Sequence, residues 1–183
     1  EAFAEIRFIL FNVPHNSLCV DIGCNDGTLL GGFRKLKMRT LGVEPTDMAK
    51  RAKRDQKIEV IQDFFTEVVA KKILKEHGKA KIITTTNVFA HIGALGEVMR
   101  GLERLLDTDG VFMTESQYLL DIFERNQFDQ VYHEHIRLYS LKSLVTLFPY
   151  YGMEVFDVER TTEREGSIRA YAGWKGQHPI SPA

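Results

Sequence analysis

The sequence predicts a doubly wound α/β domain with a mostly parallel sheet and an antiparallel strand pair near the C-terminus. Three observations predict it. Short apolar runs alternate with segments whose apolar residues recur at helical spacing, the pattern of strand–helix–strand crossovers. The first run closes on a glycine turn, Asp21-Ile22-Gly23-Cys24-Asn25-Asp26-Gly27. Two acids, Glu44 and Asp63, then stand at the ends of the second and third runs.

Each element has its own signal. Phe3, Ile6, Phe8, Ile9 and Leu10 predict a lead-in helix over 2–12, which Pro14-His15-Asn16-Ser17 breaks. Leu18, Val20 and Ile22 make Ser17 to Gly23 a buried strand. Leu29, Leu30, Phe33 and Leu36 predict a helix over 27–38. Thr40 to Glu44 is a second strand, and Thr46 caps a helix through Arg54. The alternation continues as strand over 57–62, helix over 66–76, strand over 80–86, helix over 93–106 and strand over 110–115. Residues 117–139 interrupt it with aromatics and histidines. Helix returns over 140–148, and Met153 to Arg160 and Ser167 to Trp174 read as the antiparallel pair. The organisation is a lead-in over 1–15, one domain over 16–175 and a loose tail over 176–183.

Composition bounds the function. The 183 residues suffice for one domain with a real core. A hydrophobic share of 44% with 27% charged residues is globular. A net charge of -1 is no nucleic-acid footprint, and no apolar stretch approaches the ~20 residues of a membrane span. The two cysteines, Cys19 and Cys24, lack metal-ligand spacing and suit a reducing cytoplasm. The chain opens Glu-Ala-Phe-Ala-Glu with no initiator Met and no signal-peptide character, which reads as a trimmed chain or a fragment.

The glycine turn and the acids point to a cofactor. Gly23 and Gly27 let a ligand approach the backbone closely. Asn25 stands where a pyrophosphate-binding turn would carry its second glycine, and Asp26 repels phosphate, so a dinucleotide is disfavoured. Glu44 is placed to accept from both hydroxyls of a ribose. Asp63 and Phe64 can hold an adenine amino group and ring face. A ribose, an adenine, a cationic centre and no phosphate describe S-adenosylmethionine.

The segment from Asp21 through Thr28-Leu29-Leu30, followed by Gly42-Val43-Glu44-Pro45-Thr46, resembles class I methyltransferases dependent on S-adenosylmethionine, which are Rossmann-like. Asn87-Val88-Phe89-Ala90-His91-Ile92, Gln117-Tyr118-Leu119-Leu120-Asp121 and Gln127-Phe128-Asp129-Gln130-Val131-Tyr132-His133-Glu134-His135 resemble the sugar C-methyltransferases. Those enzymes methylate C-3 of nucleotide-linked 4-keto-deoxysugars, and the resemblance spans residues 15–173. It implies S-adenosylmethionine as cofactor, S-adenosylhomocysteine as product and a nucleotide-sugar as partner. Asp21, Gly23, Asn25, Asp26, Gly27, Glu44, Asp63, Phe64 and Asn87 are then the expected cofactor-binding residues. His135 is the expected base, since imidazole titrates near neutral pH. Tyr132 and His91 are expected to donate to the enolate oxygen, and Glu134 to orient an acceptor hydroxyl or a neighbouring group. For Glu134 and His135 to act together the segment must be turned, because in an extended strand they point to opposite faces.

The resemblance has departures. The family usually carries an N-terminal zinc domain with four cysteines and a further C-terminal domain. Zinc is expected only in such a preceding domain, and no metal within this chain. The family's His-Gly-Gly-Ser stretch reads Arg164-Glu165-Gly166-Ser167 here, followed by Arg169. Two other functions stay open: methylation at oxygen or nitrogen of another small molecule, and a non-catalytic cofactor-binding piece of a split enzyme. His15, His77 and His178 read as surface residues.

Overall fold

In a computed structural model the described residues are 13–161 and 166–182. The expected lead-in helix over 2–12, and Arg164 and Glu165, lie outside them. Seven strands form one sheet: β1 (Leu18–Ile22), β2 (Arg39–Val43), β3 (Glu59–Ile61), β4 (Ala80–Thr86), β5 (Leu106–Gln117), β6 (Met153–Thr161) and β7 (Ser167–Trp174). Their order is β3-β2-β1-β4-β5-β7-β6. The pairs among β1 to β5 are parallel, and β7 runs antiparallel to both β5 and β6. The doubly wound expectation and the terminal antiparallel pair therefore hold.

Helices cover both faces: α1 (Thr28–Lys35), α2 (Met48–Arg51), α3 (Glu67–His77), α4 (Leu95–Leu105), α5 (Leu119–Glu124) and α6 (Leu141–Leu147). Alternation along β1 shows why. Leu18, Val20 and Ile22 enter one core with Ile73 of α3, Leu102 of α4 and Leu144 of α6. Cys19 enters another with Leu30 and Phe33 of α1. A strand buried on both faces must be apolar nearly throughout, which is how this segment reads. Local caps fix the helix starts. Thr66 Oγ1 accepts from the Val69 N–H at α3, and Ser140 and Ser143 form a reciprocal capping box at α6.

Some expectations change. The helix expected through Arg54 is the short α2, which passes into a π-turn over Ala52–Gln56 and ends in a left-handed Lys57. The tail expected to be loose is tied at two points. The His178 ring stacks on Phe156 with centroids 4.4 Å apart, and the Ser181 N–H donates to the Phe156 carbonyl at 2.8 Å. His178 also fills the space beside Gly173, where a Cβ would lie 2.4 Å from its ring, so it is not a free surface residue.

Candidate functional site

The strand order reverses between β1 and β4, since the chain winds from β1 toward β3 on one side and from β4 toward β6 on the other. Ligands of open α/β sheets bind outside the carboxyl ends of the strands at such a point. A cavity of about 460 Å³ lies there, lined by Gly23 after β1, Pro45 after β2, Phe64 and Thr66 after β3, and Val88 and His91 after β4.

The glycine turn is built for close approach. The Gly23 N–H donates to the Val43 carbonyl at 2.7 Å, which ties the turn to β2. Gly23 has φ +73, and a Cβ there would stand 2.4 Å from Val88 Cγ2. Gly27 has φ +80, and a Cβ would meet Ile58 Cδ1 at 2.9 Å. Asn25 also takes a left-handed conformation, φ 51, which asparagine tolerates. Asp26 acts locally, in the turn that leads into α1, whose N-cap is Gly27. Its Oδ1 accepts from Thr28 N–H at 3.1 Å and Thr28 Oγ1 at 2.7 Å, at the start of α1. These bonds hold its carboxyl below the usual carboxylate range.

Glu44 is nearly buried and braces the same turn. Its Oε2 accepts from the Asn25 N–H at 3.0 Å and its Oε1 from the Thr46 N–H at 2.9 Å. Each oxygen keeps a further lone pair. Asp63 is exposed and accepts from the Phe64 N–H at 2.7 Å. The Phe64 ring is 71% exposed on the cavity wall, whereas Phe65 is core.

Asp21 lies behind the turn. Burial pushes its carboxyl up to about 7, with Glu44 adding to the rise and the hydrogen bond from Thr84 Oγ1, at 2.6 Å, opposing it. The folded pKa is raised, so the folded state binds the extra proton. The stability this proton carries is present below the unfolded carboxylate pKa of about 4, and it is lost as pH rises through about 7. Asp21→Asn keeps an acceptor for Thr84 and removes the ionisation. It is expected to raise the melting temperature relative to the parent more at pH 8 than at pH 5, in paired scanning calorimetry. An equal effect at both pH values would contradict this assignment.

Both thiols are buried. Burial, with Asp21 and Glu44 nearby, pushes Cys24 up to about 12, and burial likewise raises Cys19. Cys24 instead packs over β2, where a Cβ on Gly42 would stand 2.4 Å from its Sγ. Among the described residues no group of three or more His, Cys, Asp or Glu is set to hold a metal ion.

The second cluster assembles beside the cavity. The segment is turned: the His135 N–H donates to the Tyr132 carbonyl at 3.0 Å. His135 Nδ1 lies 2.8 Å from the Gln130 carbonyl, which can only accept, so Nδ1 carries the proton. In that tautomer Nε2 carries the lone pair, and Tyr132 OH stands 3.3 Å from it. The His91 ring faces His135 with centroids 4.8 Å apart. Glu134 and His133 are exposed on the same turn. Asn87, after β4, has φ 54 and donates its N–H to the Glu115 carbonyl at 2.8 Å. Its Oδ1 is buried without a partner among the described residues.

Two contributors were not legible in the sequence. Thr84 holds Asp21, and its only signal was a polar residue inside the run Ile82-Ile83-Thr84-Thr85. Arg137 reaches the His91 loop, and one arginine in an apolar stretch does not announce a partner more than forty residues away. Arg169, by contrast, pairs with Glu115 at 2.6 Å and Glu159 at 2.9 Å.

A glycine turn at the switch point, a carboxylate at the end of β2, and a sheet closed by an antiparallel last strand define the fold of S-adenosylmethionine-dependent methyltransferases. The chain belongs to the methyltransferase domain family, whose profile matches residues 1–158. It is 37% identical over 167 residues to the C-methyltransferase NovU of Streptomyces niveus, an alignment covering 91% of this chain and 40% of that protein. The chain thus spans well under half the length of this relative. A methyltransferase of Clostridium acetobutylicum superposes with a TM-score of 0.72 at 14% identity, covering 96% of this chain and 90% of that one. The magnesium protoporphyrin IX methyltransferase of Synechocystis, solved with S-adenosylhomocysteine bound, gives 0.70 at 13% identity, covering 95% and 81%. Among the described residues no helix is long and apolar enough to cross a membrane.

Proposed function

We propose that this chain binds S-adenosylmethionine along Gly23–Gly27 and methylates a carbon beside the ketone of a nucleotide-linked 4-keto-deoxysugar. One observation carries the reading: His91 lines the same cavity as Gly23 and also faces His135 at 4.8 Å. The cofactor turn and a proton-accepting group are therefore neighbours. The likeness to a C-methyltransferase supports carbon as the acceptor.

The residues fit the cofactor. Gly23 presents bare backbone to the cavity, with Val88 packed where its Cβ would lie. Glu44 keeps one lone pair on each oxygen for the ribose hydroxyls, and Phe64 offers a ring face to the adenine, with Asp63 beside it. Asp21 lies behind the turn, where its carboxyl supports the geometry through Thr84. Asn87 Oδ1, buried with no partner among the described residues, is an acceptor for the ligand's amino group. When bound, S-adenosylmethionine supplies an electrophilic methyl on a sulfonium.

On the acceptor side, His135 removes the proton from the carbon next to the ketone. Its tautomer is set by the Gln130 carbonyl, so the accepting atom is Nε2. Tyr132 OH and His91 donate to the enolate oxygen as charge develops there, and Glu134 orients an acceptor hydroxyl. The carbanion so formed would take the methyl that a bound S-adenosylmethionine supplies. Phe128 and Val131, just ahead of Tyr132 in the chain, are exposed. The sugar, its nucleotide partner and a cytoplasmic setting belong to this proposal.

Glu44→Ala tests the cofactor half. It is expected to weaken S-adenosylhomocysteine binding by ~1–3 kcal/mol, the scale of charged hydrogen bonds, in a calorimetric titration. Unchanged affinity would move the ribose away from Glu44.

A further inference from the structure

His91 and His135 stand on separate irregular segments, a 3₁₀ turn over Phe89–His91 and a turn before α6. Segments of this kind are positioned by the side chains and backbone bonds that join them. One residue supplies three such bonds. The Arg137 N–H donates to the Ala90 carbonyl at 3.2 Å. Its guanidinium donates to the carbonyl of Ile92 and, at 3.3 Å, to that of Gly93. The three acceptors flank His91, and Ile92 and Gly93 also line the cavity.

We propose that Arg137 is a positioning residue that straps the His91 loop to the His135 turn and so sets the facing of the two imidazoles. The inference rests on the reading of that pair as the acceptor site. A planar guanidinium can bridge two neighbouring carbonyls at once, and an ammonium holds such a pair less rigidly. The strap matters because a proton-transfer geometry tolerates little error: a displacement of about 1 Å costs on the order of a hundredfold. Ala90 is buried and Gly93 has nothing within 4 Å of a would-be Cβ, so the loop is anchored at one end and open at the other. Arg137 closes the open end.

The test is nuclear magnetic resonance on the whole 183-residue chain labelled at histidine and arginine. In the parent, His91 and His135 ring protons are expected to show a mutual Overhauser effect, and the Arg137 guanidinium to rotate slowly about its Nε–Cζ bond. R137Q should lose the ring–ring effect. The amide of residue 137 should exchange about ten- to a hundredfold faster, the scale of losing charge-assisted hydrogen bonds. R137K should restore part of the ring–ring effect. A freely rotating guanidinium in the parent, or a ring–ring effect that persists in R137Q, would overturn the strap. S-adenosylhomocysteine titration of the same samples keeps the two readings apart. Failure of the parent to bind it would remove the proposed cofactor and acceptor site, while the ring signals still judge Arg137.

Discussion

His135→Asn is expected to bind S-adenosylhomocysteine as the parent does and to lose about 10²–10⁴-fold in turnover, the contribution of a positioned base. Asparagine keeps a similar size and can still donate toward the Gln130 carbonyl. It has no lone pair basic enough to take a proton from carbon at neutral pH. The variant is therefore expected to lose solvent deuterium exchange at the acidic carbon of a nucleotide keto sugar as well as methylation. His133→Asn should cost far less, because His133 is exposed and its ring meets Tyr132 edge-on at 6.0 Å, outside the pair with His91. Exchange at the parent rate in the His135 variant would move the base to Tyr132, His91 or Glu134. Tyr132 would then be the first suspect, since its hydroxyl already stands 3.3 Å from His135 Nε2.

Gly23→Ala is expected to lower cofactor affinity about ten- to a hundredfold and to destabilise the fold by ~1–3 kcal/mol. Two causes act together. The backbone sits at φ +73, where an alanine stores strain of about that size. The new methyl would also stand 2.4 Å from Val88 Cγ2, so Val88 must move, and Val88 lines the cavity. Val88→Ala removes the clash and leaves the strain. The double variant should recover part of the affinity, read by calorimetry and thermal melts on all three proteins. If Gly23→Ala binds as the parent does, the ligand does not pass over this turn.

Much of the architecture was legible because its signals are local. β4 and β7 fall on Ala80–Thr86 and Ser167–Trp174, the apolar runs that predict them. β5 starts earlier than Gly110 because Leu106 pairs with Ala80 before a register shift, while Lys81 holds Asp107 and Asp109 of the polar stretch between. No local signal marks that pairing. The π-turn after α2 carries no Gly or Pro to announce it; the chain simply reverses at Lys57. α5 fell in the aromatic interruption because its anchor is distant. Asp121 is fully buried and held by Arg160 of β6, at 2.7 Å. The site divides the same way. The glycine turn, Glu44 and the histidines are readable as residue types, and the turn at Tyr132–His135 follows from needing Glu134 and His135 together. The bonds of Asp26 to Thr28, the tautomer of His135 and the reach of Arg137 depend on contacts that only the folded chain makes.

On the proposed function, the turn at the β1–β4 switch point takes S-adenosylmethionine. Calorimetric titration of the chain with S-adenosylhomocysteine and, separately, with NAD tests it most directly. One S-adenosylhomocysteine is expected to bind per chain, more tightly than NAD, and Glu44→Ala to weaken it. NAD binding more tightly, with S-adenosylhomocysteine failing to saturate, would contradict the claim.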